Sequence, residues 1–145
     1  MFFKRKPDPK KMDAIAEAIG GFMKMSLEAV DKSELTEADQ AVADCFLFGA
    51  VDFMAQSNKI GDTQTVSKIT GLVLAKYLSV DMDSAWERVL SMASMSSGEA
   101  GKAIMSQGGK AFHDFARSQN PESLLVLREL INGEYFSVTK CFSHP

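Results

Sequence analysis

Few residues in this chain have both the type and the spacing that chemistry needs. The run Ser96-Ser97-Gly98-Glu99-Ala100-Gly101-Lys102-Ala103 comes nearest to a phosphate-cradling loop. That motif needs Gly in the first position and Ser or Thr in the last, where the hydroxyl would hold Mg²⁺. It also follows a strand, whereas a helical pattern precedes this run, so the glycines are assigned to helix packing. His113 and His144 are the only two histidines, too few for a zinc site without carboxylate or thiolate help. His113 shares a polar helical face with Asp114 and Arg117, which reads as a solvated surface. Cys141-Phe142-Ser143-His144 offers just two metal ligands. Met92 and Met95 could present soft thioethers to Cu(I), yet most of the nine methionines lie on apolar stripes where such side chains fill irregular cores. No serine or cysteine has a partner base that spacing reveals. No catalytic, cofactor-binding or metal-binding residue is assigned.

One carboxylate stands out. Between Ala41 and Ala55 the only polar residues are Asp44 and Asp52. On a helical wheel Asp52 falls in line with Ala41, Cys45 and Phe48. A buried, unpaired carboxylate is costly, so it must be paired, protonated or facing a cavity. Lys68 and Lys76 of the next helix are the candidate partners. Asp52, Asp44, Lys68 and Lys76 therefore form a candidate buried polar site. A closed ion pair there would be structural, and an open cavity would mark a small-ligand or enzymatic site between helices.

The elements that position these residues read as six helices. The first runs from Pro9 to Val30, with Ile15, Ile19, Phe22 and Met23 on its apolar stripe and Gly20-Gly21 in its middle. It carries a second stripe of mostly small residues: Ala14, Ala18, Gly21, Met25 and Ala29. The second helix starts at the N-cap Thr36, with Glu37 and Asp39 in its first turn. It is apolar nearly all round, which makes it the central one. The third is expected from Thr63 to Val80. The fourth is expected from Ser84, whose spacing to Glu87 fits a capping box. It would bury Ala85, Trp86, Val89, Leu90, Met92 and Ala93 and turn Glu87 and Arg88 outward. The fifth runs from Gly98 to Ser118 despite Gly101, Gly108 and Gly109. The sixth lies between Asn120-Pro121 and Asn132-Gly133. A short extended C-terminal tail follows, bearing Phe136, Val138 and Phe142. The fold class is all-α: one domain over residues 9–145, a bundle or an orthogonal array, preceded by a flexible basic segment, residues 1–8.

Composition narrows the partners. At 145 residues the chain can bury a core without disulfides or metal. Of its 16 basic and 19 acidic residues, five and one lie within residues 1–11, leaving 11 against 18 in the body. A body that acidic does not suit phosphate backbones, so nucleic acid is not an expected partner. The two cysteines sit far apart, as free thiols in a reducing cytoplasm would. No signal-peptide pattern and no membrane-spanning apolar run is present. Met1-Phe2-Phe3-Lys4-Arg5-Lys6 could skim an anionic membrane, but two phenylalanines and a few charges make a marginal anchor.

The leading expectation is a non-catalytic protein-interaction domain with an acidic body that engages a protein partner or forms a homodimer. Its candidate interface is Ala14, Ala18, Gly21 and Met25 together with Phe136, Val138 and Phe142. A small-ligand binder or enzyme built around Asp52 is the competing expectation. Peripheral membrane contact through residues 1–6 is the third.

Overall fold

The computed structural model describes residues 8–133. They form α1 (Pro9–Ala29), α2 (Glu37–Ser57), α3 (Thr63–Leu72), α4 (Met82–Met95), α5 (Glu99–Ser118) and α6 (Val126–Ile131). A π turn, Val73–Tyr77, extends α3, and a 3-10 turn, Pro121–Leu125, leads into α6. The chain is an all-α single domain, a helical bundle built around α2. The segment before Asp8 and the tail with Phe136, Val138 and Phe142 lie outside the described residues.

Local signals explain most helix ends. The Asp8 carboxylate caps α1, with Pro9 in the first turn where a missing N–H costs nothing. Thr36 and Asp39 form a reciprocal capping box: each side chain accepts from the other's backbone N–H at 3.1 Å. At α4 the expectation fails. The cap is Asp81, which accepts from Ser84 N–H at 3.0 Å, so the helix starts before Ser84 and Ser84 lies inside it. The third helix is also not continuous to Val80. After Leu72 the ladder widens, and Leu78 N–H reaches back to the Val73 carbonyl at 2.9 Å.

α2 fulfils the expectation of a central helix, because every residue from 42 to 51 is buried and α2 touches all the other helices. Its longest contact is with α5, and glycine sets the closeness of that contact. A Cβ on Gly108 would come within 2.8 Å of the Phe46 carbonyl carbon, and one on Gly49 would strike the Met105 carbonyl. Gly109 is buried too, and its Cβ would sit 3.1 Å from that of Phe53. Beside this crossing Phe22 of α1 is fully buried, with ring centroids 5.9 Å from Phe46, 5.4 Å from Phe112 and 5.5 Å from Phe115.

The paired glycines of α1 do opposite things. Gly20 lies under the Tyr77 ring, whereas nothing stands within 4 Å of a Cβ placed on Gly21. Gly108→Ala should therefore overpack the α2–α5 crossing and lower stability by about 1–3 kcal/mol. Gly21→Ala should raise it by roughly 1 kcal/mol, since it adds helix propensity in open space. Urea unfolding of the two variants checks both signs, and equal shifts would refute this account of the crossing.

Candidate functional site

Of the two carboxylates between Ala41 and Ala55, Asp44 is the buried one. Its side chain is 6% exposed and takes a hydrogen bond from Arg88 Nη2 at 2.6 Å. Arg88 Nε donates to both carboxylate oxygens at 3.2 Å, and Gln40 Nε2 adds a bond of 2.9 Å. Arg88 was expected in solvent on the outer side of α4. Instead its long side chain folds back across the α2–α4 interface, because a buried carboxylate needs a bidentate cation more than water needs another guanidinium.

The structure does not assemble the expected cluster of Asp52, Asp44, Lys68 and Lys76. Asp52 is half-buried and makes no hydrogen bond or ion pair with any described residue. It stands near the end of α2 on the wall of an open cleft, where the carboxylate reaches solvent and no partner is required. Lys68 is exposed on another face. Lys76 pairs at 2.8 Å with Asp13 of α1, and the Tyr77 hydroxyl donates to the same oxygen at 3.2 Å. The Lys76 hydrogen bond holds the Asp13 carboxyl below its ordinary range, and Asp13 in turn raises the Lys76 ammonium. The π turn brings these two side chains to α1 together.

Asp52 lines an open cleft of about 840 Å³ between α2, α3, α4 and α5. Phe53 and Met105 supply apolar wall, while Lys102, Lys110 and His113 place cationic and titratable groups around the carboxylate. The His113 ring meets Phe53 edge-on with centroids 5.1 Å apart. Such a cleft can hold a small molecule by charge and apolar contact. Among the described residues no three metal-ligating side chains converge. Cys45 is buried, and desolvation first, then the neighbouring Asp44 charge, pushes its thiol up to about 11, so little thiolate forms at neutral pH.

The second surface is apolar. Ala85, Val89 and Met92 bury one side of α4, while Met82, Trp86 and Leu90, each four residues after the last, are 65%, 46% and 69% exposed. Sequence periodicity put Trp86 and Leu90 into one buried arc with the first group and left Met82 before the helix. Trp86 and Met82 border a groove of about 270 Å³ floored by Leu72, Gly71 and Ala75 of the α3–π segment and closed by Met12 of α1. Exposed Asp83 and Glu87 flank the line on α4, and Lys68 stands at the groove. The missed signal was arc width: apolar residues at 82, 85, 86, 89, 90, 92 and 93 span more of the helix than one core contact can cover.

The small-residue stripe of α1 faces out as well. Ala14, Ala18 and Met25 are exposed and Gly21 is half-buried. Among the described residues no element covers it, while Phe136, Val138 and Phe142 fall outside them. Comparison with protein-family models, curated proteins and solved structures found no match to this chain.

The Asp44–Arg88 pair yields a direct test. Arg88→Leu strands a buried carboxylate and should cost about 3–5 kcal/mol, whereas adding Asp44→Leu should recover most of that loss. Chemical unfolding of the single and double variants measures both values. A single variant with the wild-type midpoint would show that the pair does not hold α4 to α2.

Proposed function

We propose that this protein is a non-catalytic protein-interaction domain whose docking face is the outer line of α4. The carrying observation is the exposure of Met82, Trp86 and Leu90 on one face, beside an apolar groove. Isolated exposed apolar residues are ordinary, but a contiguous row containing Trp is the composition of an interface centre. Burying each such side chain contributes roughly 1.5–3 kcal/mol. The flanking Asp83 and Glu87 and the acidic body favour a partner segment that is apolar on one face and basic on the next, the chemistry of a basic amphipathic helix. The free, buried Cys45 thiol supports a reducing, cytoplasmic setting. A homodimer through Ala14, Ala18, Gly21 and Met25 has less behind it, because small side chains offer little apolar area.

Trp86 is the one tryptophan of the chain, so its fluorescence reports the docking face directly. Titration with a synthetic amphipathic peptide of leucine and lysine should give a saturable blue shift. Leu90→Asp should abolish it, and joint Asp83→Lys and Glu87→Lys should weaken it. A shift that is absent, or that Leu90→Asp leaves intact, would remove this reading.

The open cleft supports a second reading, a small-ligand site centred on the unpartnered Asp52 carboxylate. Apolar amines are the probes its chemistry selects. Their binding should raise the melting temperature of the wild-type chain and not of Asp52→Asn, and equal effects on both would dismiss this site.

A further inference from the structure

We infer that the cleft between α2, α3, α4 and α5 binds a short apolar peptide with both ends free, its ammonium held by Asp52 and its carboxylate by Lys102. The inference rests on the small-ligand reading of this cleft and adds the chemical class of the ligand.

The charges lining the cleft are the first support. Asp52 lies on the α2 wall, and Lys102, Lys110 and His113 lie on the α5 wall. Two ammonium groups thus share the cleft with one carboxylate, in a body where acidic residues outnumber basic ones. A plain amine gains from Asp52 but is opposed by both lysines, and a plain anion meets the reverse. A ligand that carries both charges is matched on both walls. Asp13, Asp39 and Asp44 each close on a cation, at 2.8, 3.0 and 2.6 Å. Asp52 and the two lysines form no ion pair with each other or with any described residue. Opposite charges here share a cleft and stay apart.

Spacing selects the length of the ligand. Lys102, Ser106 and Lys110 follow one another at four-residue steps on one line of α5, which sets the lysine Cα atoms roughly 12 Å apart at about 1.5 Å per residue. Phe53, next to Asp52 in the chain, has its Cβ 3.1 Å from a Cβ placed on Gly109 and its ring centroid 5.1 Å from that of His113. Asp52 therefore stands at the Lys110–His113 end of the line, and Lys102 is two turns away. An extended tripeptide measures roughly 10 Å at about 3.3 Å per residue, which matches that separation. The cleft volume of about 840 Å³ also suits a ligand larger than one amino acid.

The surface between the charges fits a peptide as well. Buried Phe48 and Val66, with Met105, give an apolar floor for its side chains. Gln56 lies one turn beyond Asp52, and Ser106 lies one turn from each lysine. Neither side chain is hydrogen-bonded to another described residue, so both are available as donors and acceptors for peptide amides.

The test is calorimetric titration of the full chain with trileucine, its N-acetyl form and its C-terminal amide. Trileucine should bind about tenfold more tightly than either capped form, the loss of one charge-assisted contact. Asp52→Asn should remove its advantage over the N-acetyl form, and Lys102→Gln its advantage over the amide. Lys110→Gln should remove neither, and circular dichroism should show equal helix content throughout. An amide that binds as tightly as trileucine, and only when Asp52 is present, overturns the inference while the amine reading of Asp52 stands. An N-acetyl form that binds as tightly overturns both, leaving a site for anions. Phenylalanine that binds as tightly as trileucine, with the dependence moved to Lys110, overturns it in favour of a free amino acid. Binding that shifts Trp86 emission and is lost in Leu90→Asp overturns it by assigning the peptide to α4. No binding of trileucine overturns it outright, and the amine titrations then decide the Asp52 site separately.

Discussion

The backbone approach of α2 and α5 is the constraint from which the rest of the arrangement follows. Gly108 stands against the Phe46 carbonyl and Gly49 against that of Met105, so no side chain separates the two helices there. Glycine in a helix costs roughly 1 kcal/mol against alanine, and the compensation is contact along a long interface that includes buried Ile104, Ala111 and Phe112. Gly101, seven residues before Gly108, repeats the device against the Met95 carbonyl at the close of α4. One face of α5 thus docks on two elements at once, which sets α4 and α5 about the central helix.

A helix as enclosed as α2 leaves its polar residues no solvent route except at its ends. Asp44 lies in the enclosed stretch and requires Arg88, and that pair fixes the rotation of α4 about its axis. With Arg88 turned toward α2 and Ala85, Val89 and Met92 inward, the residues on the other side of that arc have to face out. Met82, Trp86 and Leu90 are those residues. Exposure of this apolar line is in this sense a consequence of satisfying a buried charge.

Helix number, the centrality of α2 and the caps Thr36 and Asn120 were legible because they depend on local periodicity and on residues within one turn. The start of α4 was not, since Asp81 and Ser84 are both good caps and the carboxylate three residues earlier prevails. The π turn has no local signature. It depends on Tyr77 packing over Gly20 and on two bonds to Asp13, contacts more than fifty residues away in sequence. Asp31, Lys59, Ser79 and Gln119 all adopt positive φ, a conformation that usually announces itself as glycine or asparagine, yet the helix ends before Asp31 and Gln119 were legible because the apolar pattern stops there. A helical wheel put Asp52 inside because it ranks directions around an axis and not positions along it. Asp52 points the way Cys45 does, but at its level α2, α3, α4 and α5 leave an open cleft between them.

The same distinction between pattern and area separates the two apolar faces that remain. Ala14, Ala18 and Gly21 recur at helical spacing, and regularity alone argued that a neighbouring helix must cover them. Exposed apolar surface is unfavourable by roughly 25 cal/mol per Å², and alanine and glycine present so little of it that an open stripe is tolerable. Only Met25 adds appreciable area to that face, at 38% exposure. On α4 three large side chains in one line remain in water although the chain could have placed polar residues there at no loss to the core, since Ala85, Val89 and Met92 already complete the inward side. Exposed area of that size is unfavourable until something covers it. This asymmetry, and not the regularity of either stripe, is why the proposal places docking on α4.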